Sequence, residues 1–155
     1  MQNVVIGDRK IQLREDVFII PKTVVVSEDG RSARGLCRFP STVQTVADRV
    51  EHHAVPHANV VHGLDAAKYA LYVLWNCAGI LSHDTGMDFL VSNQNTNHPG
   101  ILLANTELAF HAQLLSFKKG QSGKYRGLAR IEISSKKGEL LAEGSVQFVE
   151  VREKV

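Results

Sequence analysis

The strongest pattern in the chain is a period of two along its last third. In Glu107–Leu115, Leu108, Phe110, Ala112 and Leu114 share one side of an extended backbone, while Glu107, His111 and Gln113 take the other. Tyr125, Gly127, Ala129, Ile131 and Ile133 alternate with Lys124, Arg126, Arg130 and Glu132. Leu140, Ala142, Gly144, Val146 and Phe148 alternate with Glu143, Ser145 and Gln147. Successive side chains of a strand point to opposite faces, so these runs predict three antiparallel strands with one buried face. The connectors Lys118–Gly123 and Ser135–Gly138 are short, polar and glycine-containing, as hairpin loops are, which makes the three strands a meander. Earlier in the chain, Val17–Ser27 is rich in β-branched residues and reads as a strand. Pro21 puts it at a sheet edge or a bulge, because proline cannot donate to a ladder. Glu28-Asp29-Gly30 predicts a turn, and Gly35–Phe39 a return strand.

Between these regions the period changes. Leu64, Ala67, Leu71, Leu74, Trp75 and Ala78 follow helical spacing, and Ala66, Ala70, Val73 and Cys77 make the remaining surface apolar as well. Leu64–Leu81 is therefore predicted as a helix of about 18 residues, roughly 27 Å long. A helix apolar nearly all round is a buried one. One buried helix and five or six antiparallel strands pack into two layers only if the sheet curls around the helix. The expected class is α+β, an antiparallel sheet wrapped around one long central helix in a single domain over residues 1–155, which is the hotdog architecture. Ser82–Gly100 is polar and asparagine-rich, and its pattern fits a lid, the lip of a tunnel or a plain loop.

Composition narrows the classes. Lys and Arg number 18 and Asp and Glu 16, a net charge of +2, smaller than the clustered basic excess of a nucleic-acid binder. This disfavours nucleic acid and leaves room for a modest basic rim that attracts a phosphorylated small ligand. Two cysteines, Cys37 and Cys77, lie far apart with no CxxC pairing, which disfavours a disulfide framework and fits a reducing compartment. Met1–Asp8 shows no basic flank followed by an apolar run. The longest uncharged apolar stretch, Tyr69–Leu81, is shorter than the roughly 20 residues a membrane span needs. The expectation is a soluble, cytoplasmic protein.

Functional groups concentrate just before and along the helix. His52, His53, Pro56, His57, Asn59, His62, Gly63 and Asp65 fall close together, and Asp65, Lys68, Tyr69, Tyr72 and Asn76 make one polar stripe on the helix. Polar groups on a buried helix need partners, or they line a cavity that holds a ligand. Plainer roles stand beside this one. Asp65 also suits the helix dipole, Tyr72 can pack with its hydroxyl on backbone, and His52 and His53 suit a solvated loop. The histidines lack HExxH or two-His-plus-carboxylate spacing, so neither a metal nor a cofactor is expected. Cys77, within the apolar helix, reads as a packing thiol. The backbone N–H groups around Val61–Leu64 have no intrahelical acceptors, and Gly63 admits a ligand closely. A carbonyl aimed at them would be polarised, and a nearby carboxylate or imidazole would activate water.

Pro56–Tyr72 (PHANVVHGLDAAKYALY) resembles the hotdog superfamily of acyl-thioester enzymes, and more narrowly the FcoT-type long-chain fatty acyl thioesterases. That family carries a His-x-Asn-x-Val motif leading into the central helix and a tyrosine further along it. The matching residues are His57, Asn59, Val61 and Tyr72, and a weaker likeness runs from Phe110 to Val149. The chain departs from the family pattern at Glu51, in place of an upstream tyrosine, and at Lys68, in place of a helix asparagine. The resemblance implies hydrolysis of a fatty or polyketide-type acyl thioester of CoA or acyl carrier protein. Together with the polar cluster read above, it makes His57, Asn59, His62 and Asp65 the expected catalytic residues, with Val61, Gly63, Lys68, Tyr69 and Tyr72 expected to line the substrate. A homodimer or a dimer of dimers is also expected, since a lone sheet of this kind leaves an edge strand uncovered. A β-hydroxyacyl-thioester dehydratase and a noncatalytic acyl-binding scaffold are the alternatives. His57 is not followed by the Pro-Gly of the dehydratase motif, and Leu71 stands where its helix acid would be.

Overall fold

The computed structural model describes residues 2–6, 9–13, 19–39, 57–58 and 87–152. In chain order these form β1 (Gln2–Ile6), β2 (Arg9–Leu13), a 3-10 turn (Pro21–Thr23), β3 (Val25–Val26), β4 (Ser32–Arg38), β5 (His57–Ala58), β6 (Met87–Asn97), β7 (Leu102–Leu103), β8 (Glu107–Lys119), β9 (Tyr125–Ser134) and β10 (Leu140–Arg152). β1 pairs with β2, β5 pairs with β7, and the main sheet has six antiparallel-paired strands in the order β3-β4-β8-β9-β10-β6. The helix expected over Leu64–Leu81 lies outside the described residues.

The predicted meander is present, with its first and third strands longer than their alternation alone marks. The register places Ala33, Phe110 and Ala112, Ala129, Ile131 and Ile133, and Ala142 and Val146 on one face, and all of these are buried. Burying such side chains is worth roughly 25 cal/mol per Å² of apolar surface, so this inner face drives the sheet to pack. A bulge between Leu114 and Ser116 shifts the parity of β8. Leu115 is thrown outward, and Phe117 returns to the inner face opposite Gly127.

β4 and β6 run in the same direction with three strands between them, about 19 Å apart at the usual strand spacing. Parallel strands cannot be joined by a hairpin, and the stretch that joins these two carries the candidate residues.

Three expectations change. Val17–Ser27 is not one continuous strand. Ile19 makes a single bridge to Cys37, the 3-10 turn follows at Pro21, and only Val25 and Val26 join the sheet, as its edge. Pro21 removes a ladder donor, and Thr23 repairs the gap, its hydroxyl donating to the Ile20 carbonyl at 2.7 Å and accepting the Leu36 N–H at 2.8 Å. Within Ser82–Gly100, residues 87–97 form the 11-residue strand β6 on β10, so most of that stretch is sheet. The β1–β2 hairpin adds two strands ahead of the first predicted one. The turn at Gly30, in the left-handed region at φ 70°, and the return strand at β4 agree with the sequence reading.

Candidate functional site

His57 is the one proposed catalytic residue among the described residues. It pairs opposite Leu103, and Ala58 pairs opposite Leu102, whose side chain is buried. Asn59, Val61, His62, Gly63, Asp65, Lys68, Tyr69 and Tyr72 lie outside the described residues. The segment that receives His57 is tied down on both sides. The Gly100 N–H donates to the Leu141 carbonyl at 3.1 Å, and the Asn105 N–H donates to the Phe39 carbonyl at 2.7 Å. Asn105 has φ 56°, a conformation asparagine tolerates better than most residues. The ends of β4 and β6 and the start of β10 thus meet at one end of the sheet, and the backbone of His57 is anchored there.

The inner side of β6 at that end is polar. Gln94 lies opposite Val146 and Thr96 opposite Gly144, and His98 follows on the same side. The Nε2 atoms of Gln94 and His98 are both buried and have no hydrogen-bond partner among the described residues. Leaving a buried polar atom unpaired costs about 1–3 kcal/mol, so two on one face make this a candidate place for the polar atoms of a ligand or for ordered water. The sequence reading missed both residues. The available signal was alternation, but a bulge between Gln147 and Phe148 opposes Val91 to Phe148 and Asn93 to Gln147, and Ser92 breaks the period.

At the opposite end of the sheet, Glu150 is fully buried on the inner face. Its Oε2 accepts the Tyr125 N–H at 2.9 Å, just past the last β9–β10 pair, Arg126 with Val149. The carboxylate therefore replaces a ladder acceptor where the strands part. Phe117 stacks on Tyr125 with ring centroids 4.8 Å apart, and on Phe148 at 6.2 Å, so this end carries an aromatic stack. Glu150 was also missed, although the alternation through Val146 and Phe148 extends directly to it.

Cys37 is buried, and burial pushes its thiol up to about 12. A thiol held protonated is no nucleophile at neutral pH. Among the described residues no group of three or more His, Cys, Asp or Glu is placed to hold a metal ion. Among them, too, no helix is long and apolar enough to cross a membrane.

No protein-family model and no curated protein sequence matches the chain. Solved structures do. A thioesterase-superfamily protein is similar at TM-score 0.59 and 15% identity over 81% of this chain, which spans only 52% of that protein's length. A hot-dog-like protein from Thermanaerovibrio acidaminovorans is similar at TM-score 0.62 and 13% identity, over 81% of this chain and 84% of that one. A Bacillus halodurans protein solved with CoA is similar at TM-score 0.60 and 17% identity, over 84% of this chain and 74% of that one. The chain therefore has the hotdog fold, as its antiparallel sheet and strand order also indicate.

Proposed function

We propose that the chain hydrolyses an acyl thioester of CoA or acyl carrier protein at the β5–β7 end of the sheet. The observation that carries this reading is the pairing of His57–Ala58 with Leu102–Leu103, a few residues along the chain from Gln94 and His98, whose Nε2 atoms have no partner among the described residues. This pairing supports a site at the end of the sheet where the His57-x-Asn59-x-Val61 motif begins. The thioesterase-superfamily and CoA-bound hotdog structures support the substrate class.

In this reading Asn59 and the free amides around Val61, His62 and Gly63 hold the thioester carbonyl oxygen and the oxyanion that follows. Asp65 or His57 takes a proton from water, water oxygen bonds to the carbonyl carbon, and the carbon–sulfur bond breaks. The products are a carboxylic acid and a thiol. Lys68, Tyr69 and Tyr72 line the acyl path, with Tyr72 deepest. The active particle is a homodimer or a dimer of dimers, because β6 presents an 11-residue edge that is unpaired among the described residues. Light scattering then gives at least twice the 17.1 kDa chain mass, and a concentration-independent 17.1 kDa particle removes the dimer.

The test is thiol release from medium- and long-chain acyl-CoA by the purified protein. Release that falls at least tenfold in Asn59→Ala and Asp65→Ala supports the reading. Absence of thiol release across chain lengths and both carriers overturns it. Enoyl-thioester absorbance growing without thiol release would instead identify a β-hydroxyacyl dehydratase.

A further inference from the structure

The face of the main sheet opposite the core carries two grooves whose charges are handled in opposite ways. One, of about 250 Å³, is lined by Asn95, Asn97, Arg130, Glu143 and Ser145. Its cation is neutralised twice, with Arg130 Nη2 3.0 Å from Glu132 Oε1 and 3.1 Å from Glu143 Oε2. The other, of about 470 Å³, is lined by Ser92, Ser116, Lys118, Arg126, Leu128 and Gln147. Here Lys118 and Arg126 stand directly opposite each other in the β8–β9 ladder, both exposed. Neither has an acidic partner among the described residues.

The imbalance extends along the sequence. Residues 108–131 contain Lys118, Lys119, Lys124, Arg126 and Arg130 and not one Asp or Glu. Lys119 is engaged elsewhere, its Nζ lying 5.8 Å from the Tyr125 ring centroid. Like charges directly opposite across a ladder are destabilising, so Lys118 and Arg126 cost the empty protein stability that an anion between them would restore. The remaining lining suits such an anion. Ser116 is a hydroxyl donor, the Gln147 side-chain amide donates, and Leu128 offers an apolar wall, while the Ser92 hydroxyl donates to the Gln147 carbonyl at 3.3 Å. A volume of about 470 Å³ lies within the roughly 300–1,000 Å³ of small-molecule sites and exceeds what one phosphate needs.

We propose that this groove binds a phosphate-bearing small molecule, with Lys118 and Arg126 on the phosphate oxygens and the organic part against Leu128. Arginine and lysine form charge-assisted hydrogen bonds with phosphate, about twice the strength of neutral ones. The groove lies on the face opposite the unpartnered nitrogens of Gln94 and His98, so this site stands or falls independently of thioester hydrolysis.

The test is calorimetric titration of the full chain with ADP, pyrophosphate and inorganic phosphate at low ionic strength, repeated with Lys118→Gln, Arg126→Gln and Arg130→Gln. Saturable binding is expected, weakened about tenfold or more by each of the first two substitutions and unchanged by the third. ADP binding tighter than pyrophosphate supports the proposal, because the organic part is then held; ADP binding no tighter than pyrophosphate overturns the placement of the organic part against Leu128. Without ligand, Lys118→Gln and Arg126→Gln should keep or raise Tm, which distinguishes a lost site from a lost fold. Absence of saturable binding to all three probes overturns the proposal, as does binding that Lys118→Gln and Arg126→Gln leave intact. Equal weakening by Arg130→Gln also overturns it, since net charge would then account for the binding.

Discussion

The ring of Phe148 lies directly over the backbone of Gly127, so that a Cβ built on Gly127 would come within 2.7 Å of Phe148 Cε1 and nearer still to Cζ. The two residues are opposite each other in the β9–β10 ladder, and Phe148 is almost fully buried. The ring occupies the space that any other residue at position 127 would fill. Phe148 in turn stacks on Phe117, which the β8 bulge returns to the same face.

Gly127→Ala must therefore displace Phe148 from its place against Phe117. Overpacking of this kind costs roughly 1–3 kcal/mol, and about 2 kcal/mol corresponds to a fall in Tm of about 4–8 °C in a domain of this size. Differential scanning calorimetry checks it. An unchanged Tm would mean that the ring has another resting place.

The bond from Tyr125 N–H to Glu150 yields a second prediction with two arms. Glu150→Ala leaves a backbone donor unpaired and opens a void, an expected loss of about 1–3 kcal/mol in urea unfolding. Glu150→Gln keeps an acceptor at the same reach and should recover much of that loss. If Gln is as damaging as Ala, the negative charge rather than the hydrogen bond is what Glu150 supplies.

Which parts of this fold could be read from the sequence follows from where the ladders are regular. The meander was legible because Leu108 through Leu114 and Gly127 through Ile133 alternate without interruption. β6 was not, because the bulge at Ser92 resets its parity and the inner positions after it, Gln94 and Thr96, are polar. Val17–Ser27 misled because Thr23 satisfies by side chain what Pro21 takes from the ladder, which has no signature in hydrophobicity. The β1–β2 hairpin did have a signal, the two-residue Gly7-Asp8 step between Ile6 and Arg9, which pair with each other. At the candidate site, His57 stood out as a residue type, but its anchor is a pairing of two residues, too short to carry a period.

Cys37 makes stability depend on alkaline pH. Its thiol titrates near 12 in the folded protein, against an ordinary value of 9.0. Between these values the folded state keeps a proton that the unfolded state has released. Stability from this group is thus complete below about pH 9 and falls as pH rises towards 12, by at most about 1.4 kcal/mol per pH unit. Urea unfolding at a series of pH values should show that slope, and Cys37→Ala should flatten it while lowering stability below about pH 9 through lost packing. Peptide mapping after brief iodoacetamide treatment at pH 8 should find Cys37 unmodified in the native protein and alkylated in urea.

The unpartnered nitrogens on β6 set stability against activity. In the free protein the buried Nε2 of Gln94 has given up its water and gained no bond, so Gln94→Leu, of similar size on the face that packs Val146, should raise stability by about 1 kcal/mol. If the same nitrogen holds a polar atom of the thioester substrate, the substitution removes that contact, and kcat/KM should fall about tenfold. His98→Leu makes the parallel case at the other orphaned nitrogen. A protein that is more stable and less active identifies a group kept for its ligand. One that is more stable with turnover unchanged shows that the substrate never reaches this side of the sheet, and moves the acyl path away from β6.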